Sequence, residues 1–289
     1  MPPHFRSLLA EALGTFLLVF FGCGVVHAAV LTGAQSGLWQ VAIVWGLAVM
    51  FAIYICGAIS GAHINPAITV ALATWGRFGW AGVPGYVAAQ VGGAMLAAAA
   101  LFFIYGPNLA AKEREQGVTR GELGSIVTAM CYGEYYPNPG SLASAAGPWT
   151  DSAWTAHQER VPFPLAFAAE VMGTAALALV VFALTDSRNP GAPPSYLAPV
   201  FIGLTVAALI SIIAPLTQAC FNPARDFGPR LFAFLAGWGS AAIPGPNGHG
   251  FFTVYIVAPT LGAIFGGGLY DLLLRPEFGS SAASPKPQP

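Results

Sequence analysis

Charged residues are scarce in this sequence of 289 residues, since Asp, Glu, Lys and Arg together make up only 8% of it. An ordinary soluble domain carries about 25% charged residues, so the composition excludes that class and favours a protein of the lipid bilayer. The net charge is -1 and Lys and Arg form no long run. No positive field is therefore available to attract nucleic acid, and we expect no nucleic-acid partner.

Cysteine and histidine are also rare, which limits the chemistry that the chain could perform. The four cysteines lack any C-x-x-C pair or other metal-ligand spacing, so we read them as isolated thiols and expect neither a metal nor a cofactor. Of the five histidines, only His63 falls near the centre of a predicted bilayer crossing. No Ser/His or paired-Asp arrangement is visible, and we do not expect an enzyme.

Long apolar runs are what the sequence does contain. Six of them are long enough to cross the hydrocarbon core of a bilayer, which takes about 20 helical residues each. They cover roughly residues 8–31, 38–59, 81–105, 163–185, 197–214 and 251–274. Residues 106–162, by contrast, mix charges with proline, glycine and serine. The pattern predicts an all-α membrane protein whose two halves are separated by that segment.

An internal repeat relates the two halves. The first run contains EALGT, which begins at Glu11, and the fourth contains EVMGT, which begins at Glu170. Each is followed, at nearly the same distance, by an Asn-Pro-Ala triplet, at Asn65 in HINPA and at Asn222 in CFNPA. Two signatures in the same order indicate a duplicated three-span unit. Because three is an odd number, the two copies cross the membrane in opposite directions.

Each Asn-Pro-Ala triplet has the properties of a helix start, since Asn is a favourable N-cap and proline loses nothing in a first helical turn. The segments that follow are too short or too interrupted to span, so we predict two re-entrant half-helices. Two half-helices that begin near the midplane would bring two positive dipole ends and two asparagine side chains together. The residues concerned are Asn65, Pro66, Ala67, Asn222, Pro223 and Ala224.

These features make the chain similar to the aquaporin superfamily, whose members have six spans, two re-entrant half-helices and paired Asn-Pro-Ala signatures. The stretches SGAHINPAITVAL, YPNP and NPARDFGPRLFAFLAGWG most resemble those of bacterial glycerol facilitators, or aquaglyceroporins. The resemblance covers nearly the whole chain. It implies a passive channel for glycerol, other small uncharged solutes and some water, which excludes protons and ions. It also implies a homotetramer in the cell membrane, with both termini in the cytoplasm.

The resemblance further implies a selectivity filter of four residues on the outer side. Arg225 matches the family's filter arginine, and Trp45 matches a tryptophan of glycerol facilitators. Two positions depart from that branch, because Ala219 falls where an aromatic residue is usual and Ile210 where glycine is usual. Such a filter is more similar to that of plant nodulin-26-like channels, which also pass small polyols and some metalloid hydroxides. Tyr255 departs as well, since proline is usual there.

Arg225 would cost about 2.5 to 3.5 kcal/mol near mid-membrane, so it should face a polar cavity or a partner. The alternative to a filter role is a structural arginine paired with Asp226 or Glu122. We expect Asp226 to support the N-terminus of the second half-helix and not to line the pore. His63 either lines the inner vestibule or is a structural histidine.

Glu11 and Glu170 are expensive in lipid and could form a proton relay. We favour a structural role, in which each carboxylate accepts hydrogen bonds from the N–H groups of the irregular segment before its Asn-Pro-Ala triplet.

The repeat and the resemblance together predict the organisation of the chain. Residues 1–105 form the first channel repeat, 106–162 a long external connecting loop and 163–275 the second channel repeat. The Pro- and Ser-rich residues 276–289 form a disordered cytosolic tail. Residues 141–160 make the loop longer than usual, and we expect them to cover part of the outer vestibule.

Other functions remain open at this stage. Within the family, the alternatives are a water-preferring or a metalloid-conducting pore, although a histidine at position 210 would have favoured water by narrowing the filter. From another class, an ion-coupled secondary transporter also uses broken helices and inverted repeats. It would need a titratable coupling site beyond the two symmetric glutamates, and solute accumulation driven by a pH gradient would identify it.

Overall fold

A computed structural model describes residues 3–35, 37–143 and 148–280, and these residues form helices and connections without a β-strand. Six helical segments are long and apolar enough to cross a membrane. Spans one to five are Pro3–Thr32, Leu38–Ser60, Val83–Gln116, Phe163–Thr185 and Ala198–Thr217. Span six, Gly250–Leu274, combines α-helical Gly250–Phe252 and Ala258–Leu269 with π-helical Thr253–Val257 and Tyr270–Leu274. The prediction of an all-α protein with six spans is confirmed.

Two shorter helices lie between the spans. Half-helix one is Pro66–Thr74, and half-helix two is Pro223–Ala233, which continues into the π-helical turn Phe234–Trp238. Each begins directly after an asparagine whose side chain accepts hydrogen bonds from the first turn, with proline at the first helical position. The same local rules therefore start both half-helices at the predicted residues.

Glycines allow the spans to approach one another closely, and they do so symmetrically in the two halves. A Cβ on Gly93 of span three would stand 2.0 Å from a backbone oxygen of span one, and a Cβ on Gly266 of span six would stand 2.0 Å from a backbone oxygen of span four. Spans two and five meet where a Cβ on Gly203 would stand 2.4 Å from the Gly46 carbonyl oxygen. The two halves meet through spans two and five, and also where half-helix two packs on span three and half-helix one on span six.

The predicted start of the connecting loop at residue 106 is wrong. Span three continues to Gln116 and ends at Gly117, whose φ of 66° lies in the left-handed region that suits glycine. The charges that suggested a loop are satisfied on the helix, since Glu113 forms an ion pair with Arg120 at 2.9 Å. Ion pairing makes the charged end of this helix compatible with the edge of the bilayer.

The connection between spans three and four contains short helices, namely Ile126–Ala129, Gly140–Ala143 and Asp151–Gln158. The last of these packs on the YPNP stretch, because the His157 ring is 2.9 Å from the Asn138 carbonyl oxygen. Residues 144–147 lie outside the described residues. The expected cover of the outer vestibule by residues 141–160 stays a prediction.

The predicted tail begins too early. Glu277–Ser280 form a short helix, and Phe278 contacts the Tyr270 ring with 6.3 Å between ring centroids. An aromatic anchor on span six therefore orders residues that composition alone assigned to disorder. Residues 281–289 lie outside the described part of the chain.

Candidate functional site

A cavity of about 230 Å³ lies between the two repeats. Its wall is largely aliphatic, with contributions from spans one, two, four and five. Most of the pore residues proposed from the sequence line this one cavity, namely Trp45, His63, Asn65, Ile210, Ala219, Asn222 and Arg225. Pro66, Ala67, Pro223 and Ala224 do not line it. The fold thus brings together residues that lie far apart in the chain.

Asn65 and Asn222 join the two half-helices at the centre of the molecule. The Asn65 Oδ1 accepts from the Ala67 N–H at 2.9 Å, and the Asn65 Nδ2 donates to the Phe221 carbonyl oxygen at 2.8 Å. The Asn222 side chain repeats this pattern and donates to the Ile64 carbonyl oxygen at 2.8 Å. Each amide is therefore fixed by both repeats, and its second N–H is available to the cavity.

The residues before each asparagine adopt a strained backbone. Ile64 has a φ of 44° and Phe221 a φ of 54°, in the left-handed region that costs side-chain-bearing residues of order 1–3 kcal/mol each. Ala62 and Ala219 hold the matching positions two residues earlier, with φ values of 46° and 61°. Such strain persists only where surrounding contacts over-determine it.

Glu11 supplies those contacts in the first repeat. Its Oε1 accepts from the His63 N–H at 2.9 Å, and its Oε2 accepts from the Ile64 N–H at 2.7 Å. The Ser60 hydroxyl and the Gln90 amide donate to the same carboxylate, each at 2.7 Å. Glu11 is fully buried and does not line the cavity.

Glu170 has the same arrangement in the second repeat. It accepts from the N–H groups of Cys220 and Phe221 at 3.0 and 2.9 Å, and from the Thr217 hydroxyl at 2.6 Å. Like its counterpart, it is fully buried behind the cavity wall. Both carboxylates thus hold the strained segments from behind by charge-assisted hydrogen bonds.

The glycine of each E-x-x-G-T signature has a steric reason. A Cβ on Gly14 would stand 2.8 Å from Ile64 Cγ2, and a Cβ on Gly173 would stand 2.1 Å from Phe221 Cε1. Each glycine lies one helical turn from the glutamate, on the face that receives the residue before the asparagine. The signature therefore supplies a carboxylate that bonds the strained segment and a glycine that leaves space for it.

Arg225 and Trp45 lie against each other in the cavity wall. The Arg225 guanidinium carbon lies 4.3 Å from the Trp45 ring centroid, a cation–π distance. Both side chains line the cavity and are otherwise buried in the protein, with 4% of the surface of Arg225 and 5% of that of Trp45 exposed. Ile210 and Ala219 add apolar surface without donors. The site therefore presents hydrogen-bond donors from one side chain against apolar surfaces.

Arg225 has a partner that the sequence analysis missed. Neither predicted partner is correct, because Asp226 pairs with Arg230 and Glu122 is exposed. The Arg225 guanidinium instead forms an ion pair with Glu134, which is fully buried. Burial raises the pKa of the Glu134 carboxyl to about 8, although the adjacent Arg225 guanidinium opposes this shift. The signal in the sequence was that Glu134 is the one charged residue between positions 123 and 150.

Asp226 does not line the cavity. Its carboxylate binds the Arg230 guanidinium at 2.9 and 2.8 Å and accepts from the Glu134 N–H at 2.6 Å. It therefore ties the connection between spans three and four to half-helix two.

His63 lines the cavity and also has a structural contact, since its Nδ1 lies 3.2 Å from the Thr69 hydroxyl. Its ring packs between the rings of Phe78 and Tyr86, with centroid distances of 4.7 and 5.0 Å. A cavity-lining role and a structural role for His63 are therefore compatible.

Sequence analysis missed Gly22 and gave no role to Tyr255. Gly22 makes room for Trp45, because a Cβ there would stand 2.1 Å from the indole ring. The Tyr255 hydroxyl donates to the Thr217 carbonyl oxygen at 3.2 Å, as the Tyr86 hydroxyl donates to the Ser60 carbonyl oxygen at 2.9 Å. The tyrosine that replaces the usual proline thus completes the symmetry of the two repeats.

Comparisons with known proteins agree with this geometry. Residues 2–270 match the major intrinsic protein family. The chain is 41% identical over 288 residues to the glycerol uptake facilitator protein of Pseudomonas aeruginosa, covering 100% of this chain and 95% of the relative. It is 40% identical over 266 residues to a propanediol uptake facilitator of Citrobacter freundii, covering 92% and 91% of the two chains.

A solved structure gives the same result for the fold. The X-ray structure of the aquaglyceroporin from Plasmodium falciparum superposes with a TM-score of 0.77 at 24% identity, covering 96% of this chain and 99% of the other. The family match over nearly all residues, the six spans and the two bacterial relatives confirm the predicted resemblance. This multi-pass membrane protein belongs to the major intrinsic protein family.

Proposed function

We propose that the chain is a passive channel that conducts glycerol and other small uncharged solutes, together with some water. The observation that carries this proposal is the cavity itself, in which Arg225, Asn65 and Asn222 offer donors while the other walls are mostly aliphatic. The name of the Pseudomonas aeruginosa relative, a glycerol uptake facilitator protein, supports the same solute class.

The geometry suits a molecule with hydroxyl groups on one side and carbon on the other. Such a solute can replace its lost water with hydrogen bonds from Arg225 and the two asparagines, while its carbon backbone slides along Trp45 and the aliphatic wall. A solute without hydroxyl or amide groups would leave these donors unsatisfied. Selectivity in this account comes from donor placement and aperture, in a filter of Trp45, Ile210, Ala219 and Arg225.

Ion exclusion follows from the half-helices. Two positive dipole ends meet at Asn65 and Asn222, which opposes cations and hydronium. The fixed amides donate to each water that passes, and a water that accepts there cannot continue a proton wire in the same direction. We assign the two asparagines this role at the centre of the pore.

The cellular setting follows the family. We propose that the protein lies in the cell membrane as a homotetramer with one pore in each subunit, and that both termini are cytoplasmic. Six spans are an even number, which supports placing both termini on the same side of the membrane.

A secondary transporter is disfavoured by the position of the two buried glutamates. A coupling ion must reach its binding site from the solute path, but Glu11 and Glu170 lie behind the cavity wall with their oxygens bonded to the protein. Their geometry suits a fixed support. This geometry favours a channel in which solute movement is not coupled to an ion.

The experiment is glycerol flux into liposomes that contain the purified protein. We expect a glycerol gradient to swell these vesicles much faster than protein-free vesicles, and internal glycerol to stop rising when it equals the external concentration. Imposing a pH gradient should leave that end point unchanged. Accumulation of glycerol above the external concentration would refute a passive channel.

A further inference from the structure

A buried carboxylate lies directly behind the filter arginine. Glu134 has 0% of its surface exposed and does not line the cavity, whereas Arg225 does. The Glu134 carboxylate forms an ion pair with the Nη2 of Arg225. The carboxylate therefore pulls on the guanidinium from the side opposite to the solute path.

The backbone of Glu134 is held in place by a second ion pair. Its N–H donates to the Asp226 carboxylate at 2.6 Å, and its carbonyl oxygen accepts from the Arg230 guanidinium. Asp226 and Arg230 are themselves bonded to each other at 2.8 and 2.9 Å. Because these two charges satisfy one another, the Glu134 side chain is left to balance Arg225.

The other groups that act on the Glu134 carboxyl come from several elements. The charged groups around it are Arg225, Arg230, Asp226 and Glu170, and the other titratable groups are Cys23, Tyr135, Cys220 and Tyr255. Of these, only the Arg225 guanidinium forms a direct side-chain ion pair with Glu134 among the described residues. The charge of the filter arginine is thus balanced by one group.

The donors of Arg225 are divided between the protein and the cavity. Its Nη1 donates to the Tyr132 carbonyl oxygen at 3.1 Å and to the Cys23 sulfur at 3.5 Å, and its Nη2 forms the ion pair with Glu134. A guanidinium has five N–H groups, so the Nε–H and the Nη2–H groups are not used in hydrogen bonds to the described residues. Glu134 thereby decides which edge of the guanidinium faces the cavity.

Space for a different guanidinium position exists in this filter. Ala219 lines the same cavity as Arg225 and carries only a methyl group, so its side chain takes up little of the cavity. A guanidinium released by Glu134 could therefore move toward Ala219 and narrow the path. Glycerol would be hindered more than water because it is wider.

We propose that Glu134 is a positioning residue that determines the size selectivity of the filter, because its carboxylate holds Arg225 back from the solute path. The inference rests on the proposed channel function. It adds a fifth residue to the filter, one that touches no solute.

The test compares glycerol and water permeability in liposomes, at about pH 9, for the wild type, Glu134→Gln, Glu134→Asp and the control Glu159→Gln, which removes one exposed charge from the same connection. We expect Glu134→Gln to lower the ratio of glycerol to water permeability by about threefold or more. Glu134→Asp, which keeps the charge, should retain most of the ratio. Glu159→Gln should match the wild type.

A pH profile separates positioning from a merely structural role. The ratio in the wild type should fall as the pH is lowered and the carboxyl is protonated, whereas the ratio in Glu134→Gln should stay flat. A parallel loss of both permeabilities in Glu134→Gln, an unchanged ratio, or a pH response that survives in that variant would overturn the proposal. If Glu134→Gln does not fold, Glu134→Asp takes its place. The proposal would then be overturned if the ratio of glycerol to water permeability had its pH midpoint at the same value in Glu134→Asp as in the wild type. A wild type that conducts no glycerol would instead refute the channel function.

Discussion

The indole ring of Trp45 rests on Gly22, where a Cβ would stand only 2.1 Å from the indole Cζ3. Trp45 belongs to span two and lines the cavity, while Gly22 belongs to span one and does not line it. The position of Trp45 therefore depends on the absence of a side chain on a neighbouring helix.

Gly22→Ala should displace Trp45 toward the cavity, because a rigid indole cannot yield 1 Å or more without moving as a whole. We expect glycerol permeability to fall by about fivefold or more, with a smaller effect on water. Stopped-flow light scattering measures both. The matched control is Gly24→Ala on the same helix, where a Cβ would meet only Leu101 at an ordinary 3.4 Å. Equal permeabilities in the two variants would disprove the steric argument.

Glu170→Gln should destabilise the protein. The carboxylate accepts from two backbone N–H groups and one hydroxyl, and a glutamine would turn an NH₂ group toward one of these donors. A buried donor without a partner costs about 1–3 kcal/mol. We expect a lower thermal unfolding temperature in detergent, and no change in proton flux, because Glu170 lies off the solute path. A stable variant with altered proton flux would favour a relay instead.

The pH dependence of the filter follows from Glu134. Burial raises the pKa of this carboxyl to about 8, so its negative charge is present above that pH and is lost as the pH falls through it. The ion pair with Arg225 is lost in the same window, and the ratio of glycerol to water permeability should fall with it. Infrared absorption of the carboxyl group, compared between the wild type and Glu134→Gln, follows the protonation. A carboxylate signal that persists to acidic pH would contradict this assignment.

Folding stability depends on the protonation of Glu134 in the opposite direction to the permeability ratio. A carboxyl whose pKa is raised in the folded state binds its proton more tightly there than in the unfolded chain. This group therefore favours folding at low pH, and its contribution decreases as the pH rises from about 4.5 through about 8. Unfolding temperatures of the wild type should decrease over that window relative to those of Glu134→Gln.

Local sequence rules predicted the parts of the fold that depend on local physics. Apolar length located the six spans, and the Asn-Pro pair located the start of both half-helices, because capping acts over three residues. The end of span three was missed because its charges are neutralised by an ion pair between Glu113 and Arg120, which apolar length does not register.

Residues that a repeated signature or the resemblance marks could be named from the sequence, including Glu11 and Glu170 behind the cavity wall, whereas residues without such a mark were missed. Arg225 and Trp45 could be recognised from the resemblance, but Gly22 and Glu134 become meaningful only when distant segments meet. Glu134 was nevertheless visible as an isolated charge in an uncharged stretch. An acidic residue in such a stretch can be sought as a counter-charge for a buried arginine elsewhere in the chain.

In the proposed channel, uncharged solutes pass beside Arg225, Trp45, Ile210 and Ala219. The substitution Ala219→Phe is the most direct test of this filter. An aromatic ring can occupy this backbone conformation, because Phe221 has a similar φ of 54° beside the 61° of Ala219. The new ring should fill the open side of the filter. The control is Ala208→Phe, the same change at an exposed position on span five.

The measurement is stopped-flow permeability to glycerol, urea and water in liposomes. We predict that Ala219→Phe lowers glycerol and urea permeability by about tenfold and water permeability much less, while Ala208→Phe matches the wild type. An Ala219→Phe channel that conducts all three solutes as fast as the wild type would contradict it.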